Sequence, residues 1–219
     1  MFPISDVIPS RTRPVVTIGL IVVNTLAYIY QLQLDHRELQ SLVYEYGVVP
    51  ARFSFPDVLT SMFLHADFLH FAGNMIFLWI FGDNVEDRLG HAVYLGFYLG
   101  CGSVAAVAQA AANPLSLVPM IGASGAVAGV MGAYFLVYPH SRILTAVFVL
   151  LFLDIVEIPA IFFLGIWFLL QVVHGAMSTG IEGGVAFWAH GAGFLTGVLG
   201  GLYIKARDRH DREYWKEAR

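Results

Sequence analysis

Charge is what this sequence has least of. Asp, Glu, Lys and Arg together make 13% of its 219 residues, against 58% hydrophobic ones. From His91 to Pro139 there is not one of the four. Soluble domains carry about a quarter charged residues, so the balance excludes that class. A mean hydropathy of +0.69 points instead to a chain that crosses a membrane several times. Nowhere do basic residues cluster with interleaved aromatics, which excludes a nucleic-acid groove. The single cysteine, Cys101, excludes an intrachain disulfide and reads as a small apolar filler in a helix. A His-Glu-x-x-His pattern, which would put two metal ligands and a base on one helix face, is missing. His65 and His70 are five apart and point in different directions on a helix. Asp67 and Asp154 fall on opposite sides of the membrane in the topology derived below, so they cannot form a facing aspartate pair.

What is present is a series of apolar runs. Val15 to Leu34 is about twenty residues of apolar character, enough to span, and it runs into Gln31, Gln33, Asp35 and His36 rather than a cleavage site. Asp35 to Asp57 mixes charges with Tyr44, Tyr46, Phe53 and Phe55, as a segment lying at the membrane interface would; a solvated loop is the other reading. A second span is expected from roughly Leu59 to Phe81, followed by a polar turn, Gly82 to Gly90. The uncharged window then holds helices at about Ala92 to Ala112 and about Ala123 to Tyr138. Their joint, Asn113 to Pro119, is apolar enough to be expected to dip into the protein. The helix after it has sixteen or so residues and is roughly 24 Å long, less than the roughly 30 Å hydrocarbon core. Ser124, at its start, therefore lies below the membrane surface. Pro139 to Arg142 is a turn. Ile143 to Glu157 reads as an interfacial or hairpin segment, with a fifth span from about Ile158 to Val173. Met177 to Gly184 is a glycine-rich turn, and a sixth span runs from about Phe187 to Ile204.

The fold expected is an all-α membrane protein: a six-helix bundle with an interfacial, membrane-embedded loop between its first two helices. Residues 1–14 form an N-terminal segment, 15–204 the membrane unit and 205–219 a charged tail. With both termini cytoplasmic, ten of the twelve basic residues lie inside; only Arg37 and Arg52 lie outside. That asymmetry is an orientation signal, and a prokaryotic inner membrane is the expected residence. It brings the N-terminal ends of the second, fourth and sixth spans to one outer level. Those ends carry His70 and Asn74, then Ser124, then His190.

Intramembrane polar groups are costly and point to function. A serine hydroxyl becomes a nucleophile when a histidine takes its proton. Gly125 and Gly129 beside Ser124, with Gly193 and Gly197 after His190, form two bare faces that allow close approach of helices. His70 and Asn74 are i, i+4 neighbours on one face and can donate to an oxyanion. A backbone N–H at the start of the fourth helix adds a donor. His65 reads as a structural hydrogen bond near the surface. His91 and His174 read as interfacial, and Asp154 and Glu157 fall on the cytoplasmic side, away from this cluster.

Gly122-Ala123-Ser124-Gly125 resembles the nucleophile motif of rhomboid intramembrane serine proteases. His190 within Ala189 to Gly193 looks like their base, and His65, His70 and Asn74 look like the histidines and asparagine of their second helix. Gly82-x-x-x-Glu86-x-x-x-Gly90 is similar to the turn that follows it. The resemblance covers roughly Val15 to Ile204. It implies a Ser124–His190 dyad without a third carboxylate, and no cofactor. It implies cleavage of single-pass transmembrane proteins near their outer membrane boundary, at small residues beside a helix-destabilising stretch. The loop between the first two helices lacks the Trp-Arg pair of some members; Arg52 after Pro50 is its nearest feature. Two rivals stand beside this reading: a catalytically inactive relative that binds membrane clients, and a proton-coupled transporter.

Overall fold

A backbone in lipid has to bond to itself, and the apolar runs fold accordingly as helices. The computed structural model describes residues 2–149, 152–177 and 187–217. Helices α1 (Val15–Gln31), α2 (His36–Tyr46), α3 (Phe55–Thr60), α4 (Phe68–Leu89), α5 (His91–Ala112), α6 (Ser124–Val137), α7 (Ala160–Met177) and α8 (Phe187–Glu217) follow in order. Strands β1 (Phe2–Asp6), β2 (Arg142–Val149) and β3 (Phe152–Pro159) complete the described elements. Met177 belongs to α7, and the rest of the expected glycine-rich turn lies outside the described residues. Among the described helices, α5 and α7 are each long and apolar enough to cross a membrane, while α1 and α6 are shorter apolar helices.

α6 is the core helix. Every residue from Gly125 to Tyr134 is buried, as a helix apolar on all sides should be when others surround it. α8 lies against it through glycine. A Cβ at Gly193 would fall on the carbonyl of Gly125, one at Gly197 on the carbonyl of Gly129, and one at Gly132 on the carbonyl of Phe194. Cys101 of α5 packs against Gly129 and is buried and unpaired, the filler its sequence context indicates.

Several expectations need correcting. The first concerns the second span, which is not one helix from Leu59. α3 and the 3-10 turn after it (Ser61–Phe63) meet α4 at 91°, with Asp67 capping α4 by accepting the His70 N–H at 2.9 Å. The stretch Gly82 to Gly90 is also not a loop. It continues α4 to Leu89 and stops at Gly90, whose φ of 80° ends the helix. Local turn formers are overridden here because each polar side chain finds a tertiary partner. Asp83 accepts from the Ser10 hydroxyl. Asp87 accepts from the Thr12 N–H at 2.9 Å and the Thr12 hydroxyl at 2.7 Å. Gly82 is bare because Thr17 and the Tyr94 hydroxyl occupy its Cβ space.

The second correction concerns the all-α expectation. β2 pairs antiparallel with both β1 and β3, in the order β1-β2-β3. The hairpin alternative for Ile143 to Glu157 therefore holds, and residues 2–6 are its third strand rather than a plain polar tail. β2 is rich in β-branched and aromatic residues, which suit a pleated surface. The sheet sits at the C-terminal ends of α4 and α6, where Asp6 accepts from the Tyr134 hydroxyl at 2.5 Å and from Asn84 at 3.2 Å.

The third correction concerns the joint from Asn113 to Pro119, which does not dip into the protein. It presents Leu115, 87% exposed, with Leu117 and Val118 at the surface. Its backbone is tied to the loop after α2: Ala51 N–H donates to Ser116 at 3.0 Å, and Val48 and Met120 exchange bonds at 3.0 and 2.8 Å. The expected interfacial loop, Asp35 to Asp57, is mostly helical: it holds α2, a 3-10 turn at Pro50–Arg52 and the start of α3. Finally, His65 is not near the surface. It is 1% exposed, with its ring edge-on to Phe71 and His70.

Candidate active site

Ser124 is the first residue of α6. The chain reaches it through Gly122, whose φ is 128°, a conformation open to glycine and strained for other residues. The Gly122 N–H donates to the Ser61 carbonyl at 2.9 Å, which fixes the approach against the turn before α4. His190 lies in the first turn of α8 and is 9% exposed. Its Nε2 is 2.7 Å from Ser124 Oγ. The contact joins residues 66 positions apart and depends on the glycine faces of α6 and α8. A Cβ at Gly193 or Gly197 would press α8 off the α6 backbone, whereas one at Gly125 or Gly129 would instead meet Ala105 or Cys101 of α5.

The other proposed donors come from α4. The His70 ring lies against Gly122: a Cβ there would sit 2.6 Å from Cε1 and 2.7 Å from Nε2 of His70. Glycine is thus needed at 122 for two reasons, its φ and the space the imidazole takes. Asn74 is buried on the same face of α4. One of its amide N–H groups donates to the His70 carbonyl at 2.9 Å, and the other remains to donate elsewhere. The first N–H groups of α6 lack intrahelical partners, as at any helix start. Ser124 Oγ thus has an imidazole nitrogen within hydrogen-bonding distance, and the His70 ring lies against Gly122, two residues before it.

Two polar residues that local reading passed over hold the histidine. Gln171 of α7 places Oε1 2.8 Å from His190 Nδ1. Gln109 of α5 accepts the Ala189 N–H at 3.1 Å. The signal was available, since each is an amide inside an apolar span, where polar groups need partners. Trp167, one turn before Gln171, adds a ring wall with its centroid 5.9 Å from that of His190. His65 lies behind His70, ring edge against ring with centroids 5.2 Å apart; among the described residues neither of its ring nitrogens has a hydrogen-bond partner. His91 pairs instead with Glu86, Nδ1 to Oε1 2.6 Å, at the far end of α4. Glu157 pairs with Arg142 at 2.6 Å on the exposed sheet, well removed from Ser124 in the fold.

A family model described as Rhomboid domain matches residues 52–207, a span that takes in His70, Asn74, Ser124 and His190. Rhomboid protein 1, mitochondrial, of Saccharomyces cerevisiae is 31% identical, the match covering 71% of this chain and 44% of that protein. The putative rhomboid protease YdcA of Bacillus subtilis is 31% identical over 57% of this chain and 62% of its own. The rhomboid protease GluP of the same organism is 35% identical over 39% of this chain and 16% of its own. The chain matches less than two thirds of the length of each of these relatives.

Proposed function

The chain belongs to the rhomboid family, and on that premise we propose that it is an intramembrane serine endopeptidase using a Ser124–His190 dyad. Its substrates are single-pass transmembrane proteins, cut near the outer membrane boundary. The observation that carries this reading is the 2.7 Å contact between His190 Nε2 and Ser124 Oγ, made within an apolar helix bundle. Nε2 takes the hydroxyl proton as Oγ attacks the scissile carbonyl, then gives it to the leaving amine. The carbonyl oxygen, now negative, is met by His70, Asn74 and a backbone N–H at the start of α6. Water releases the acyl group by the same steps in reverse roles.

The bundle proposed has six spans: α1, the bent pair α3–α4, α5, α6, α7 and the first part of α8 to about Ile204. Residues 15–204 form that unit, and α8 runs on unbroken into the charged segment after Lys205. Both termini are placed on the cytoplasmic side by the basic-residue asymmetry. The residence proposed is a prokaryotic inner membrane; two of the relatives above are Bacillus subtilis proteins and one is mitochondrial.

A fluorophosphonate probe separates the protease from an inactive client binder and from a transporter. The wild-type protein in proteoliposomes is expected to be labelled and to cleave a model transmembrane substrate. Ser124→Ala is expected to lose both, with a rate loss on the order of 10⁴–10⁶. Comparable cleavage by Ser124→Ala would sink the reading.

A further inference from the structure

α7 is apolar from Ala160 to Val173 with one exception, Gln171. An amide in such a helix is retained against a desolvation cost unless something bonds to it. Its Oε1 is 2.8 Å from His190 Nδ1, on the ring edge away from Ser124. An amide oxygen only accepts. With the amide in this orientation, the ring nitrogen facing it carries the proton, which leaves the Nε2 lone pair pointing at Ser124 Oγ. That is the one neutral tautomer in which His190 can act as a base toward this serine. The reverse orientation of the amide would present NH₂ to the ring and force the proton onto Nε2, where it would block proton transfer from the hydroxyl.

We propose that Gln171 is a positioning residue: it holds His190 in the Nδ1–H tautomer and fixes the ring's rotation toward Ser124. The proposal rests on the dyad reading above. It completes a chain of three groups, Gln171, His190 and Ser124, from α7, α8 and α6. Trp167, four residues earlier and so on the same face of α7, limits the ring's other freedom by lying alongside it at 5.9 Å. A neutral amide orients the ring and stabilises the imidazolium with a dipole. A carboxylate there would orient it equally and also raise its basicity, because a nearby negative charge favours the charged form.

The test uses the full chain in detergent and in proteoliposomes, with ¹⁵N-histidine spectra read beside cleavage kinetics. Wild-type His190 is expected to be protonated at Nδ1 in its neutral form. Gln171→Leu is expected to lose that preference and to lower kcat about 10- to 100-fold with little change in KM. Gln171→Glu is expected to restore the rate and to move the acid limb of the pH profile upward. A wild-type spectrum with the proton on Nε2 would overturn the proposal, as would a Gln171→Leu protein with wild-type kcat and pH profile. Loss of fold in Gln171→Leu leaves the wild-type spectrum as the deciding measurement. Failure of the protease reading looks different: wild-type protein that neither cleaves nor takes the fluorophosphonate, whatever the tautomer.

Discussion

The carbonyl of Gly129 occupies the space that a Cβ at Gly197 would need. This backbone contact, two helical turns from His190, sets the distance between α6 and α8 and with it the distance from base to hydroxyl. Gly197→Ala is therefore expected to push the helices apart and to lower kcat by about 10²-fold, the usual consequence of an ångström-scale misplacement. Melting temperature should fall with it, by an overpacking cost of about 1–3 kcal/mol. Gly96→Ala is the control, since nothing lies within 4 Å of its added Cβ. Equal rates for Gly197→Ala and Gly96→Ala would show that the helix contact does not position the dyad.

His190→Ala should resemble Ser124→Ala, whereas His70→Ala and Asn74→Ala should be graded. On the mechanism proposed above, each removes one of several donors to the oxyanion, at a typical loss of roughly 10²–10³ in kcat. The double variant should lose more than either, though not additively, since the donors serve one charge. Initial cleavage rates at saturating substrate, with thermal stability alongside, decide this. Asn74 also donates to the His70 carbonyl. If Asn74→Ala unfolds the protein or leaves the rate untouched, that bond is its whole role.

At the opposite end of the bundle, Glu86 does for α1 what α1 cannot do for itself. α1 has no side-chain cap and no acidic residue in its first turn. Glu86 of α4 accepts the Val16 and Thr17 N–H groups at 2.8 Å each and the Thr17 hydroxyl at 2.7 Å. Thr17 and Glu86 are both fully buried, so truncation strands donors away from water. Glu86→Ala is expected to cost about 2–5 kcal/mol in thermal unfolding, with near-normal kcat below the melting range. A melting curve matching the wild type would rule out this capping role.

Asp6 gives the sheet a pH dependence of known sign. Burial pushes its carboxyl up from the ordinary 3.8 to about 6, the Tyr134 hydroxyl pulls it back, and the charge of Asp83 pushes it up again. The folded protein thus binds the proton more tightly than the unfolded chain does. The resulting stabilisation is fully present below pH 3.8 and is lost as pH rises through about 6. Melting temperatures of wild type and Asp6→Asn should therefore converge toward the acid end and separate above pH 6, with Asp6→Asn the more stable. Parallel curves across this range would refute it.

Where the apolar helices fall, and which polar residues stand out in them, was legible from local sequence. Apolar runs must bond their own backbones, so α1, α5, α6 and α7 fall close to the runs that indicate them. Ser124 and His190 stand out because glycine and a polar group at the same helix end have few structural reasons to coincide. The contacts themselves needed the tertiary structure. A 2.7 Å bond between residues 66 apart follows from how the glycines of α8 dock on the backbone of α6, which no local period encodes. Gln171 carried a visible polarity signal, yet its partner became identifiable only when α7 lay beside α8. Gly82 to Gly90 shows the converse. Read locally, its glycine, aspartates and asparagine make a turn. Packed, Asp83, Glu86 and Asp87 bond to Ser10, Thr17 and Thr12, and the gain from those distant partners outweighs the weak helix propensity of the residues themselves. The sheet was hidden for the same reason: β1 lies some 140 residues from β2 in the chain, and strand pairing over such a separation is decided by the folded whole.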